Sequence, residues 1–279
     1  MILIKDIKTL KKHLSSYKNA GKTIGFVPTM GALHDGHISL VQKAINENDV
    51  FVCSIFVNPT QFNNPADFKK YPITLEADIE KLEKAGCGIL FIPTVEEMYP
   101  INEKNLQYEL GNIETILEGK YRPGHFQGVC IIVDKLLAAV SPTVLYLGRK
   151  DYQQCMVIGK MMEIKKYKIK LSICDTIREK DGLAMSSRNM RLNKVERKQA
   201  LSIIESLTFI KNNIKKGNIE ILKKEAAVFL ENKRYKVDYI EIADTQTLEP
   251  QSEWDGKKKL VALVAAYLNE IRLIDNIIL

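Results

Sequence analysis

Two histidines stand three positions apart in the segment of the chain that is richest in chemically useful side chains. Residues 28–37 read PTMGALHDGH, in which His34 and His37 flank Asp35 and Gly36. Imidazole N–H groups can bind a phosphate chain and stabilise the charge that develops at phosphorus during transfer. Gly36 lets a ligand approach the backbone, and the amides that open a following helix favour an anion. The segment therefore predicts a phosphate-binding loop.

Paired histidines also fit two other interpretations. A zinc protease places its histidines at i and i+4 with a glutamate after the first, whereas this chain has i and i+3 with Asp35. The spacing therefore disfavours a metalloprotease. A pair of surface-loop histidines without a role stays open on spacing alone.

A second polar cluster, REKDGLAMSSRN, covers residues 178–189. Ser186 and Ser187 offer two hydroxyls, and Arg188 follows with a guanidinium, which can bind phosphate oxygens in a bidentate fashion. The cluster predicts a site for a triphosphate. A polar linker between domains would have a similar composition, so both interpretations stand.

Three shorter segments add candidate groups. Residues 54–62 (SIFVNPTQF) place an amide side chain just beyond a predicted strand, where a small polar substrate would bind, although they also fit a Pro-Thr turn. Residues 147–154 (LGRKDYQQ) supply Lys150 for phosphate and Asp151, which suits either magnesium or a helix cap. Residues 121–129 (YRPGHFQGV) fit a lid or a structural corner.

The elements that must position these groups alternate along the chain. An apolar strand at 23–28 precedes the histidine loop, a helix follows at 38–45, and the β-branched run 50–57 fits a strand buried on both faces. Further alternation predicts helices at 75–85, 128–139 and 151–162 and strands at 88–93, 143–147 and 169–174. This order indicates a Rossmann-like, doubly wound α/β fold whose parallel sheet binds ligands at the carboxyl ends of its strands.

The pattern changes after residue 191. Lys-rich amphipathic helices are predicted at 194–216 and 219–232, followed by strands at 237–243, 259–268 and 271–278. At ~150 residues per domain, a chain of 279 residues has room for about two domains. We therefore predict an α/β domain at 1–175 and a smaller α+β domain at 176–279 that acts as a lid.

Composition limits the class of protein. The 41 Lys and Arg against 34 Asp and Glu leave a net charge of +7, which suits nucleic acid, an anionic membrane surface or a phosphorylated small molecule. The five cysteines form no C-x-x-C pair, which disfavours a zinc knuckle or a disulfide framework and predicts a cytoplasmic protein. Lysines interrupt the apolar N-terminal stretch and no uncharged run approaches ~18 residues, so neither a signal peptide nor a membrane partner is predicted.

A basic nucleic-acid-binding module is the rival from another class. It would use Lys165, Lys166, Lys168 and Lys170, or the lysines at 257–259. Such runs are usually solvated faces, and no basic motif interleaved with aromatic residues accompanies them. We therefore predict no nucleic-acid partner.

In their order and spacing, the segments between residues 26 and 189 resemble the pantoate–β-alanine ligase family. Their two phosphate signatures are similar to those of adenylate-forming nucleotidyltransferases, the group that includes class I aminoacyl-tRNA synthetases. The resemblance implies a ligase that uses ATP, pantoate and β-alanine, passes through a pantoyl adenylate, and releases AMP and pyrophosphate. It also implies Mg²⁺ as cofactor and a homodimer. A related nucleotidyltransferase, such as a cytidylyltransferase, would transfer a nucleotide without forming an amide.

The resemblance implies roles at individual positions. His34, His37 and Lys150 would be catalytic, with His37 as the proton donor. Gln61 and Gln154 would hold pantoate, and Gln61 would also face β-alanine. The positions implied to bind ATP are Met30, Gly31, Ala32, Leu33, His34, Asp35, Gly36, His37, Gly148, Arg149, Lys150, Asp151, Ile177, Met185, Ser186, Ser187 and Arg188.

Two positions depart from the usual family pattern. Ile73 stands where an arginine is usual, which removes a charge from a segment near the expected site. Leu147 stands where phenylalanine is common, a change that we expect to leave the chemistry intact. Neither the direct magnesium ligand nor a base for the β-alanine amine can be assigned from the sequence.

Overall fold

Short apolar runs form a six-stranded parallel sheet. The computed structural model describes residues 1–63, 65–101 and 106–279. The strands of this sheet are β1 (Ile2–Ile4), β2 (Ile24–Thr29), β3 (Val50–Ile55), β4 (Ile89–Phe91), β5 (Val144–Gly148) and β6 (Lys170–Cys174). Neighbouring strands pair in parallel in the order β1-β4-β3-β2-β5-β6. The predicted α/β fold is therefore confirmed.

Helices connect and follow the strands. They are α1 (Ile7–Asn19), α2 (Asp35–Glu47), α3 (Pro65–Lys69), α4 (Leu75–Lys84), α5 (Val95–Met98), α6 (Glu118–Tyr121), α7 (His125–Val140), α8 (Tyr152–Ile164), α9 (Lys194–Gln199), α10 (Ser202–Asn213) and α11 (Glu220–Asn232). Short 3-10 helices lie at Pro59–Gln61, Gly111–Glu114, Arg149–Asp151 and Ser187–Arg191. Within the described ranges, none of the helices combines the length and the apolar character needed to cross a membrane.

The strand order reverses beside β2. The chain proceeds from β2 to β3 and β4 on one side and then returns to place β5 on the other side. Parallel α/β sheets bind ligands in the crevice at such a reversal, beyond the carboxyl ends of the strands. The histidine loop follows β2. Gly148 is the last residue of β5, and Arg149 follows it. The fold thus brings these two segments to the edge of the sheet where a ligand is expected.

The described residues cluster into two compact units. Unit 1 comprises Met1–Leu110, Arg122–Arg149 and Val157–Asp175, whereas unit 2 comprises Gly111–Tyr121, Lys150–Met156 and Thr176–Leu279. Unit 2 therefore includes two segments that precede residue 176 in the sequence. The domain division at 175/176 and the lid role of residues 176–279 stay predictions.

Unit 2 is built around an antiparallel sheet. Strands β8 (Tyr235–Asp244), β10 (Leu260–Leu268) and β11 (Ile271–Ile278) pair in the order β11-β10-β8, and the two-residue strands β7 (Gly217–Asn218) and β9 (Glu253–Trp254) form a separate pair. Apolar residues of α10, α11 and the sheet share one core. This arrangement confirms the predicted α+β character of the C-terminal part.

The single helix predicted at 194–216 is wrong, because the structure contains two helices there. Asn193 caps α9 by accepting from the N–H groups of residues 195 and 196. The Gln199 carbonyl then accepts from the Tyr235 hydroxyl at 2.8 Å, and the N–H of Ile203 bonds to the carbonyl three residues before it. A tertiary contact therefore interrupts a run whose periodicity is helical throughout.

Candidate active site

The histidine loop leaves β2 through a left-handed turn. Gly31 and Ala32 have φ angles of 79° and 48°. Glycine adopts positive φ at little cost, whereas a side chain makes this conformation unfavourable, so the Ala32 backbone must be held by its surroundings. The chain then enters α2, which places His34 at the N-cap and His37 in the first turn.

A buried carboxylate from α4 holds this turn. Asp78 is 1% exposed and accepts from the N–H groups of Ala32 at 2.8 Å and Leu33 at 2.7 Å. Thr74 donates to the same carboxylate at 3.2 Å, and Lys81 donates to the Leu33 carbonyl at 2.5 Å. The Ala32 and Leu33 amides are therefore bonded to the protein, and the loop presents its histidines from a fixed backbone.

The two imidazoles stack at the start of α2. Their ring centroids are 4.0 Å apart and their planes are tilted by 38°. The backbone N–H of His34 donates to His37 Nδ1 at 3.3 Å. Because Nδ1 accepts, a neutral His37 ring carries its proton on Nε2. The neutral His37 ring therefore presents Nε2–H as a hydrogen-bond donor.

Gln61 lies in the 3-10 turn beyond β3, beside the histidine loop. Its Nε2 is 3.1 Å from Met30 Sδ, and its Oε1 accepts from Asn58 Nδ2 at 3.3 Å. Asn58 also donates to the Gly128 carbonyl at 3.2 Å and accepts from the Tyr99 hydroxyl at 2.7 Å. The structure thus brings together two predicted site residues, Met30 and Gln61, and orients the Gln61 amide.

The first turn of α7 packs against the Gln61 turn. The buried His125 ring donates from Nδ1 to the Gln61 carbonyl at 2.8 Å, since a carbonyl can only accept. A Cβ atom at Gly128 would lie 2.5 Å from the Thr60 carbonyl oxygen, so a larger residue would push the helix and the turn apart. Residues 121–129 therefore include a structural corner that supports Gln61.

At the end of β5, Gly148 leads into a 3-10 turn that begins at Arg149. Arg149 forms an ion pair with Asp175, which follows β6. Strands β2 and β5 are hydrogen-bonded neighbours. Two predicted ATP-binding segments of unit 1 therefore lie at the ends of adjacent strands. One is the histidine loop, after β2, and the other is Gly148 with Arg149, at the end of β5.

Lys150 and Asp151 continue this turn in unit 2. Lys150 Nζ lies 3.9 Å from Asp151 Oδ1, and the Lys150 carbonyl accepts from Asn276 Nδ2 at 2.8 Å. The main chain of Lys150 is therefore anchored to β11. Its side chain is only partly buried, as a group that binds a ligand should be.

The two glutamines that follow have different surroundings. Gln153 is buried, accepts from the Glu118 N–H at 2.9 Å, and donates to two carbonyls of the segment before α6. Gln154 is partly exposed. Gln153 is thus a structural residue of unit 2, and the glutamine predicted to hold pantoate is the one outside this buried network.

Residues 178–184 form a small hairpin that brings Ile177 and Met185 together. The first and last residues of the hairpin form a β-bridge, and the Met185 N–H donates to the Ile177 carbonyl at 3.1 Å. Ser186 then caps a 3-10 helix by accepting from the Arg188 N–H at 3.3 Å. The second polar cluster is therefore a folded turn and not a linker. Its predicted ATP-binding residues share one local structure.

Motif analysis missed the residues that hold these segments. Asp78 is separated from Ala32 by 46 positions, and Asn276 is separated from Lys150 by 126 positions. Such pairs depend on tertiary structure, so no local pattern defines them. One signal was present: Asp78 follows Leu75 and precedes Leu82 at helical spacing, which puts a carboxylate on the apolar stripe of α4.

A parallel sheet with polar loops beyond the ends of β2, β3 and β5, at the reversal of its strand order, defines an α/β ligand-binding protein. Comparison with known proteins gives the particular family. The family model for pantoate-beta-alanine ligase matches residues 2–278. Pantothenate synthetase of Cytophaga hutchinsonii is 44% identical over 282 residues, which cover 100% of this chain and 99% of the relative. The chain therefore belongs to the pantoate–β-alanine ligase family.

Solved structures agree with this assignment. Pantothenate synthetase from Thermus thermophilus superposes with a TM-score of 0.90 at 37% identity, and the match covers 99% of both chains. Pantoate-beta-alanine ligase from Francisella tularensis, in a complex with beta-gamma ATP and beta-alanine, gives a TM-score of 0.79 at 38% identity. That match covers 99% of this chain and 97% of the other. The similarity extends over both compact units.

Proposed function

We propose that this protein condenses pantoate with β-alanine in an ATP-dependent reaction that yields pantothenate, AMP and pyrophosphate. Family membership supports the overall reaction. The observation that carries the assignment of the site is the contact between Gln61 and Met30, which joins an amide suited to a polar substrate to the histidine loop. ATP binding is assigned to residues 30–37 and 148–151, to Ile177 and to residues 185–188.

In the first half-reaction, a pantoate carboxylate oxygen attacks the α-phosphorus of ATP. The new O–P bond forms as the bond from the α-phosphorus to pyrophosphate breaks. The protein must therefore neutralise the charge that grows on the leaving group. His37 supplies an Nε2–H donor, and His34, Lys150 and Arg188 supply further hydrogen bonds or positive charge.

Gln61 and Gln154 are assigned to pantoate. An amide can donate to the pantoate carboxylate and accept from its hydroxyls. Because an amide is neutral, it orients the carboxylate without forming a tight ion pair that would weaken the nucleophile. Asn58 fixes the Gln61 amide, so the geometry of this contact is set before the substrate binds.

In the second half-reaction, the uncharged amine of β-alanine attacks the carbonyl carbon of the pantoyl adenylate. The C–N bond forms, the C–O bond to AMP breaks, and the proton that the amine loses is released to solvent. AMP is a far better leaving group than oxide, which is the chemical reason for the adenylate. Gln61 is assigned to the face from which the amine approaches.

Magnesium fits the site as a partner of ATP. Among the described residues, no group of three or more His, Cys, Asp or Glu side chains is arranged to hold a metal ion. Mg²⁺ commonly binds through one or two carboxylates together with substrate phosphates. Asp151 is exposed and would supply the carboxylate. When bound, the ion would neutralise phosphate charge.

We also propose that the enzyme is a cytoplasmic homodimer that binds neither nucleic acid nor membranes. The family resemblance supports the dimer, and the absence of paired cysteine motifs supports a reducing compartment. Light scattering coupled to gel filtration tests the dimer, because a monomer has a mass of 31.7 kDa.

Incubation with ATP, pantoate and labelled β-alanine tests the reaction. The ligase produces labelled pantothenate together with one AMP and one pyrophosphate. A nucleotidyltransferase of another specificity releases pyrophosphate but forms no amide. Failure to form labelled amide, with ATP binding intact, would reject the proposed function.

A further inference from the structure

Two neighbouring polar residues lie buried near the end of β11. Asp275 is 3% exposed and Asn276 is 4% exposed. Buried polar side chains require hydrogen-bond partners, and the identity of those partners shows what the side chains hold. Here the partners are Lys150, which is assigned to ATP, and Arg178, which begins the hairpin between two other assigned residues, Ile177 and Met185.

Asp275 holds Arg178, the first residue of the hairpin. Arg178 NH1 and NH2 donate to the two carboxylate oxygens at 2.6 and 3.0 Å. The same nitrogens donate to the carbonyls of Gly182 at 3.1 Å and Asn276 at 3.4 Å. A bidentate pair of this kind fixes orientation as well as position. Arg178 is therefore committed to the fold, although the hairpin that it begins is flanked by residues assigned to ATP.

Hydrogen bonds connect the hairpin that Arg178 begins to the residues at its base. Asn189 Nδ2 donates to the Ala184 carbonyl at 3.0 Å, which ties the 3-10 helix to the end of the hairpin. The Met185 N–H bonds to the Ile177 carbonyl. Movement of Arg178 would therefore shift Ile177 and residues 185–188 together.

Asn276 holds the other segment. Its Nδ2 donates to the Lys150 carbonyl at 2.8 Å, inside the 3-10 turn Arg149–Asp151. Because this bond is to the main chain, it leaves the Lys150 side chain available for phosphate. One dipeptide of β11 thus contacts both the turn at Lys150 and the hairpin that joins Ile177 to Met185.

We propose that Asp275 and Asn276 are positioning residues that fix these two segments at the spacing required by the phosphates of ATP. Asp275 acts through Arg178 and the hairpin, and Asn276 acts through the Lys150 main chain. The proposal rests on the proposed function, because that function assigns both segments to ATP. It adds a C-terminal element to a site whose motifs end at residue 188.

The substitution Asp275→Asn tests the proposal, with Glu241→Gln as its matched control. Glu241 lies on β8 of the same sheet and accepts from Lys223 at 2.6 Å, far along the sequence from either ATP-binding segment. Both changes neutralise a carboxylate in an ion pair of unit 2. Thermal unfolding without ATP measures how much stability each variant loses when its ion pair is broken.

Three readouts separate positioning from general stability. We measure ATP affinity by calorimetry, the rate of pyrophosphate release with ATP and pantoate, and the rate at which β-alanine consumes supplied pantoyl adenylate. Asp275→Asn should weaken ATP binding and slow pyrophosphate release by about 10-fold or more. The adenylate lacks the β- and γ-phosphates, so its consumption should change by less than about 3-fold. Glu241→Gln should leave all three unchanged.

Equal losses in both half-reactions, or equal effects of the two variants, would overturn the proposal. If Asp275→Asn does not fold, Asn276→Ala and Arg178→Lys replace it. Arg178→Lys keeps the charge but loses the bidentate geometry. The double variant Arg178→Lys/Asp275→Asn should bind ATP no more weakly than the worse single variant, because both act through one interaction. If wild type forms no amide, the proposed function fails, whereas ATP affinity still tests the positioning role.

Discussion

The histidines depend on the backbone that carries them. His37 is an Nε2–H donor because its Nδ1 accepts from the His34 N–H. The preceding turn keeps an alanine at a φ angle of 48°, and Asp78 bonds to the amide of that same alanine, Ala32. Strain of this kind persists only when surrounding contacts hold it. The chemistry of the loop therefore depends on α4 as well as on the loop itself.

Replacement of His37 should slow the adenylation half-reaction. His37→Ala removes a hydrogen bond to the departing pyrophosphate and should slow adenylation by about 10²–10³-fold, with the fold retained. Pyrophosphate release in single-turnover experiments measures this step. His13→Ala, on α1, is the control and should be silent. Near-normal pyrophosphate release by the His37 variant would refute the assignment.

Replacement of the carboxylate behind the loop should act at a distance. In Asp78→Asn, an amide NH₂ would face one of two backbone N–H groups, leaving a buried donor unsatisfied at a cost of about 1–3 kcal/mol. The displaced histidines should slow adenylation by about 10²-fold. Denaturant unfolding and single-turnover adenylation check the two effects.

Glu97→Gln is the control for this prediction, since the Glu97 carboxylate also accepts a bond from a backbone N–H, that of Ile7 at 2.8 Å, and lies outside the assigned site. We expect some loss of stability without loss of adenylation rate per folded molecule. If Asp78→Asn retains wild-type adenylation, the histidine loop does not need this support.

The sequence predicted the groups that could do chemistry better than the groups that hold them. The structure places His34 and His37 at a strand-to-helix junction and Gln61 beside Met30, as the motifs suggested. Their roles stay predictions. Asp78 lies on a helix whose sequence gives no sign of its partner, because its bonds cross 45 and 46 positions.

At the scale of elements, α7 sets the position of the Gln61 turn. Gly128→Ala would put a methyl group 2.5 Å from the Thr60 carbonyl oxygen, which must shift the helix or the turn. We expect a loss of about 1–3 kcal/mol in unfolding free energy and a raised KM for pantoate. Chemical denaturation and steady-state kinetics measure these effects.

A second helical glycine provides the control. At Gly159, in α8, an added Cβ would lie 3.5 Å from Leu171 Cδ2, an ordinary contact. Alanine also favours a helix over glycine by up to about 1 kcal/mol. Gly159→Ala should therefore be neutral or stabilising. Equal behaviour of the two variants would contradict the close approach of α7.

The junction between α2 and β3 predicts a pH dependence. Asp49 accepts from Lys22 Nζ and from the Thr23 N–H and hydroxyl, each at 2.9 Å, and these bonds lower the pKa of Asp49 from 3.8 to about 2. A lowered pKa adds stability above the unfolded value, and that stability is lost as pH falls from about 4 to 2. Asp49→Asn should remove this part of the acid transition. Its size is reduced by solvent and salt, because the carboxylate lies near the surface.

Periodicity predicted most long elements because their apolar faces are strong local signals. The strand at 271–278 has the predicted bounds, and helix 219–232 begins one residue later than expected. The strand β1 was missed because it contains only three residues and pairs with a single neighbour, β4. The break between α9 and α10 was missed because the Tyr235 hydroxyl that contacts Gln199 comes from a distant strand.

At the scale of the whole molecule, the net charge of +7 gave little guidance to function. Arg178 is committed to Asp275, and Arg272 pairs with Glu118 and Asp238, each at 2.7 Å. Arginines in buried pairs serve the fold of unit 2. The few Lys and Arg side chains assigned to phosphate were identified from their positions in sequence motifs, and the net charge did not identify them.

Buried phenols in both units predict how the whole molecule responds to alkali. Burial raises the pKa of Tyr146 to about 12, with help from its hydrogen bond to Glu47. Burial is also the main cause of a raised pKa at four other described tyrosines, namely Tyr108, Tyr167, Tyr235 and Tyr239. A raised phenol pKa means that the folded state holds more protons than the unfolded state above pH ~10, so stability falls as pH rises.

These phenols should therefore ionise together when the chain unfolds. Ultraviolet absorbance of phenolate and circular dichroism, followed against pH on one sample, test this. The late absorbance step, which is the rise in phenolate absorbance from the buried tyrosines at high pH, should coincide with the loss of the helical circular dichroism signal. In Tyr146→Phe the unfolding free energy should decrease less steeply with pH above ~10, because one linked proton is absent. A late step that precedes unfolding would show that the phenols ionise within the folded protein.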